Sequence, residues 1–96
     1  MRVKILRGYI LQFLYTIYPA QTEEIIIIET FYRDWKVEEI KKSLQYLTDK
    51  GYIEKKEHPN PLNRFEKLTT FKISPKGVDL VEKQISDASV ILPEEL

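Results

Sequence analysis

The sequence predicts one α+β domain, mostly α: a three-helix bundle, then a β-hairpin and a short last helix. Three observations carry that reading. Val37, Ile40, Leu44 and Leu47 recur at the spacing of one helical face. Asp49-Lys50-Gly51 then stops this helix, with Gly51 suited to the left-handed conformation that closes a helix C-terminus, and Tyr52-Ile53 restarts the chain as a strand. Ser74-Pro75 opens a further helix, with Ser as N-cap and Pro at the first helical position. Ninety-six residues suffice for one domain and little more. It is assigned to residues 1–86, with 87–96 as a C-terminal tail.

The first helix is expected over residues 3–18, with Leu6, Ile10, Phe13, Leu14 and Ile17 as its core stripe. Ile5, Tyr9, Leu11, Tyr15 and Tyr18 add apolar surface elsewhere on it. Such girth has two explanations: a central helix wrapped by the others, or one that also forms a homodimer. Pro19 ends it, and Thr22 is the expected N-cap of the second helix, with Glu23 and Glu24 at its positive end. The run Ile25–Ile28 also fits a buried strand. The capping pattern, with Phe31, Tyr32 and Trp35 at helical spacings, favours a helix. Asp34-Trp35-Lys36 is then the turn into the third.

On that third helix the buried face centres on Val37, Ile40, Leu44 and Leu47. The opposite face carries Glu38, Glu39, Lys42, Gln45, Tyr46 and Asp49. The hairpin arms are Tyr52–Glu57 and Lys67–Ile73, with Phe71 and Ile73 as core anchors by period-two alternation. Between them HPNPLNRFE is too long and too rich in Pro and Asn for a tight turn. Val78, Val81 and Ile85 define the buried face of a last helix of about eleven residues, and Gly77 inside it marks a close backbone approach. In the tail, Val90–Leu92 is an apolar patch that either tucks into a groove or frays.

Charge and composition narrow the function. Fifteen basic residues balance fifteen acidic ones, whereas nucleic-acid binders usually carry a basic excess. The balance is uneven along the chain: residues 1–18 hold Arg2, Lys4 and Arg7 with no acid, and 51–73 hold five bases against three acids. The longest uncharged stretch, Gly8–Thr22, falls short of the roughly 20 apolar residues a membrane span needs. Tyr-Pro-Ala-Gln makes a poor signal-cleavage site, so a cytoplasmic location is expected.

Catalytic and metal chemistry find no foothold. There is no cysteine, and the single histidine, His58, stands beside Pro59 in the hairpin loop, where solvent exposure is expected. Nucleophilic catalysis needs a partnered base, and metal sites need clustered ligands. Gly8, Gly51 and Gly77 are too dispersed for a phosphate-binding loop. The expectation is no enzyme, no cofactor and no metal.

The order of elements, with L-x-x-L-x-x-x-G-Y-I (Leu44, Leu47, Gly51, Ile53) and I-S-P-K-G (Ile73, Ser74, Gly77), resembles winged-helix domains of the MarR and PadR type. It is also similar to small winged-helix proteins of Mu-like prophages, which share the tyrosine-leucine pair, here Tyr46-Leu47, before the glycine turn. The resemblance covers about residues 3–85 and rests on core and turn positions. It implies a DNA-binding transcriptional regulator acting on double-stranded DNA. Lys42, Gln45 and Tyr46 would enter the major groove, with Lys36 and Lys41 near phosphates. Lys55, Lys56, Arg64 and Lys67 would bracket the backbone from the hairpin, the wing; alternatively they are solvated loop charges. Zero net charge, the acids on the third helix and surplus tyrosines (Tyr9, Tyr15, Tyr18 and Tyr46) point to the alternative function, a protein–protein interaction module.

Overall fold

The structure is a computed structural model that describes residues 2–96. Within them the chain is α+β, with four α-helices and a three-stranded antiparallel sheet of order β1-β3-β2. The elements are α1 (Arg2–Thr16), β1 (Thr22–Glu23), α2 (Glu24–Phe31), α3 (Val37–Asp49), β2 (Ile53–Pro59), β3 (Lys67–Ile73) and α4 (Pro75–Val81), then a 3-10 turn at Pro93–Glu95. None of these helices is long and apolar enough to cross a membrane.

The middle of the fold is α1, which packs against α3, α4, β3 and the closing 3-10 turn. Leu6, Ile10, Leu11 and Leu14 are fully buried, and along the helix only Arg2, Tyr9 and Thr16 are exposed. Leu11 therefore belongs to the core although it lies outside the expected stripe, while Phe13 and Ile17 are half-buried. The girth of this helix is that of a central element covered from within. Of the surplus surface that favoured a homodimer through this segment, Tyr9 and, just past the end of α1, Tyr18 stay exposed.

The second element begins differently from expectation. Thr22 is not an N-cap: with Glu23 it forms β1, pairing with Phe71 and Thr70 of β3. Glu23 is the N-cap of α2, without a side-chain bond. The isoleucine run is helical, as expected, and only Ile27 is fully buried, with Ile25 and Ile26 exposed. Phe31 meets Phe13 edge-on, ring centroids 6.2 Å apart, fixing α2 to α1.

Ile40, Ser43, Leu44 and Leu47 form the inner face of α3. Val37, expected inside, is 45% exposed, because at the first helical position it lies at the open end of that face. The helix is capped by its own sequence: the Lys36 amide donates to Glu39 Oε1 at 3.2 Å. Gly51 takes a φ of 83°, as its place after the helix requires, and the Tyr52 amide reaches back to the Leu47 carbonyl at 2.9 Å.

The hairpin runs in register from Ile53↔Ile73 to Pro59↔Lys67. Phe71 and Ile73 anchor it in the core, as their alternation predicted. His58 is not a free loop side chain. It is half-buried on β2, with Nε2 3.0 Å from the Thr70 hydroxyl.

Ser74 caps α4, its hydroxyl accepting from the Gly77 amide at 3.1 Å and donating to the Gly51 carbonyl. Gly77 is needed for contact, since a Cβ there would strike the Tyr52 carbonyl. The helix spans seven residues rather than eleven, because Lys83 turns left-handed at φ 66°. Leu80 and Val81 are therefore its buried pair, Val78 is half-buried, and Ile85 is carried out to 37% exposure.

The tail belongs to the core. Val90 and Leu92 are buried, and the Ile91 amide donates to the Lys4 carbonyl at 3.0 Å. Val90 and Leu92 thus join the same core cluster as residues of the domain assigned to 1–86. Gly8 makes this possible, because a Cβ on it would overlap the Ile91 carbonyl. Gly8→Ala forces backbone against backbone and is expected to cost about 3 kcal/mol. Urea unfolding reads this directly, and an unchanged midpoint would mean that the tail does not close over α1.

Candidate nucleic-acid interface

The solvent face of α3 carries Glu38, Lys41, Lys42, Gln45 and Asp49, and Lys36 is exposed in the turn before it. Two of the acids near this face have local work. Glu39, half-buried, closes the helix N-terminus, and Asp49 Oδ1 accepts from Gln45 Nε2 at 2.8 Å.

Tyr46 does not belong to it. The side chain is half-buried, its hydroxyl donates to Ser89 Oγ at 2.7 Å, and the Arg7 guanidinium lies 3.6 Å from its ring centroid. Helical spacing puts Tyr46 opposite the core, but Ser89 and Arg7 cover that side of α3, so Tyr46 is not free to enter a groove.

Lys55, Lys56, Arg64 and Lys67 are all exposed on the hairpin and its loop. Register divides them. Lys55 pairs with Phe71 and Lys56 with Thr70, so alternation puts Lys55 and Lys67 on one face of the ribbon and Lys56 on the other. The described ion pairs use only Lys50 and Lys83. Among the described residues, no acid lies within ion-pair distance of Lys36, Lys41, Lys42, Lys55, Lys56, Arg64 or Lys67.

The basic N-terminus is differently employed. Arg2 stacks 4.1 Å from the Trp35 ring centroid and donates to the Asp34 carbonyl at 3.1 Å. Arg7 stacks on Tyr46 and donates to the Ser89 carbonyl at 3.1 Å. Both guanidinium planes hold the fold together, as planar, weakly hydrated cations do well.

Around Ser89 lies a polar cluster that sequence reasoning missed. Asp87 Oδ1 accepts from the Ser89 amide at 2.8 Å and from its hydroxyl at 2.6 Å. Asp87 Oδ2 accepts from the Tyr52 hydroxyl at 2.6 Å and meets Lys50 Nζ at 3.2 Å. Burial alone would push the Asp87 carboxyl up. The hydrogen bonds from Ser89 and Tyr52, with Lys50, outweigh it and hold the group well below the usual carboxylate range. Burial, then the bond to Asp87 and its charge, pushes the Tyr52 phenol up to about 12. The one local sign was Asp-x-Ser, the spacing of a turn closed by an Asp side chain.

Comparison of the chain with protein-family models, curated proteins and solved structures gives no match in any of the three.

The cluster makes a pH prediction with a definite sign. The folded-state Asp87 carboxyl titrates below its ordinary value of 3.8, so its contribution is complete above about pH 4 and is lost as the pH falls further. Asp87→Asn should lower stability at pH 7 and flatten the loss between about pH 4 and pH 2. Guanidinium unfolding across that range tests it; parallel curves for the two proteins would remove Asp87 as the cause.

Proposed function

We propose that this chain is a winged-helix DNA-binding protein, a transcriptional regulator of the MarR and PadR type. In this reading α2 and α3 form the helix-turn-helix, α3 faces the major groove, and the β2–β3 hairpin is a wing against the backbone. One observation carries it: Lys36, Lys41, Lys42, Lys55, Lys56, Arg64 and Lys67 are exposed with no acid at ion-pair distance among the described residues, while Arg2 and Arg7 are engaged by Trp35 and Tyr46. Lys42 and Gln45 are the side chains for the groove. Lys36, Lys41, Lys55, Lys56, Arg64 and Lys67 are those for phosphate. The order of helices and strands, with the helix-to-strand joint at Gly51, supports the same reading.

A second reading has its own support. Ile25, Glu29 and Tyr32 share one exposed face of α2, and Ile26 and Val37 are also exposed. An apolar, acidic surface of this kind suits a protein partner better than a phosphate backbone. Tyr15 and Tyr46 no longer contribute to that reading, since their hydroxyls are engaged with Glu82 and Ser89.

Anisotropy with random duplex DNA at about 50 and 200 mM salt tests the regulator reading. Four phosphate contacts would weaken binding roughly a hundredfold across that range. Reversing Lys55, Lys56 and Arg64 to Glu should abolish binding at both. Absence of binding by the native protein at low salt would instead favour the interaction module, and the reversed variant would then keep its partner.

A further inference from the structure

We propose that the tip of the hairpin is an apolar wedge that enters the minor groove of duplex DNA and opens a base step. The inference rests on the DNA-binding reading and adds deformation of the duplex to it. Leu62 is 95% exposed and Phe65 85%, far above the other exposed large apolar side chains, of which Leu96 at 63% comes next. Two such groups three residues apart on one loop are an unusual surface to leave in water.

The loop holds them outward by its own polar bonds. The Leu62 amide donates to Asn60 Oδ1 at 2.9 Å, and the Phe65 amide to Asn63 Oδ1 at 3.0 Å. Backbone bonds from Asn63 to the Asn60 carbonyl and from Glu66 to the Asn63 carbonyl close the same stretch. Each apolar residue thus follows an asparagine turn that fixes its backbone, which reduces the ordering cost of insertion. Apolar side chains placed between base steps are a general means of kinking DNA from the minor groove.

Charge selects the polyanion. Lys67 and Lys55 stand on one face of the ribbon and Lys56 on the other, the last two about 13–17 Å from the first loop residue, Asn60, along the strand. Cations on both sides of an apolar tip fit a groove with a phosphate chain on each side. A flat layer of lipid headgroups would meet only the tip itself, where Arg64 is offset by Glu66.

The test compares the native protein with Leu62→Ser/Phe65→Ser on short duplexes rich in TA and CA steps, which kink most easily. End-to-end energy transfer reads bending and 2-aminopurine fluorescence reads unstacking. The native protein should bend and unstack the duplex. The variant should bind about tenfold more weakly, with an unchanged salt dependence, and do neither. In a Phe65→Trp protein the new indole emission should be quenched on binding. Binding without bending, or equal bending by both proteins, would overturn the wedge and leave the DNA reading intact; no binding at all would overturn both. Sedimentation with anionic vesicles that is lost in the Ser variant would assign the tip to a membrane surface instead.

Discussion

A helix at the centre of a 96-residue chain must be covered on every side by very little protein, and α1 sets that demand. The sheet, α3 and α4 cover most of it. The last strip comes from a segment without regular structure, residues 87–92, which lies close enough for its backbone to touch Gly8. Its own backbone supplies little, a turn closed by the Val90 amide on the Asp87 carbonyl at 3.2 Å, so most of its hold comes from tertiary partners. Val90 and Leu92 supply apolar burial, while Asp87 and Ser89 supply the polar hold on Tyr46, Lys50 and Tyr52.

The same demand sorts the charges. Arginine can lie flat on an aromatic ring and still donate from its edge, and both N-terminal arginines do this. Lysine keeps its strongly hydrated head in water, and lysines dominate the hairpin. Glu54, Lys55, Lys56 and Glu57 also stand along β2, an outer strand of the sheet, where charge discourages pairing with another chain. These lysines therefore have a protective role that is compatible with contacting phosphate.

What could be read from sequence was what local chemistry decides. The inner face of α3, the stop at Gly51, the Ser74-Pro75 cap and the anchors Phe71 and Ile73 each depend on neighbours within a few positions. β1 could not be read this way: a two-residue strand exists only because β3 offers it a partner. Nor could the early end of α4, where Lys83 rather than a glycine takes the left-handed turn. For the candidate interface, periodicity correctly exposes Lys42 and Gln45. It fails at Tyr46 because the residues that cover it come from the far end of the chain. Alternation along β2 also separates Lys55 from Lys56, a consequence of strand geometry that adjacency in sequence conceals.

The pairing of the tail with α1 also bears on the order in which the chain can fold. Arg7 and Ser89 meet across 82 positions, close to the greatest separation this chain allows. The α3–β2–β3 segment, by contrast, closes through short loops. Loop closure costs entropy that rises with the length of chain enclosed, and distant contacts are the slowest to reward that cost. The helix-and-hairpin half can therefore assemble on local contacts, while α1 keeps one apolar side open until residues 87–92 arrive. Closure of the core over α1 thus depends on contacts between the two ends of the chain.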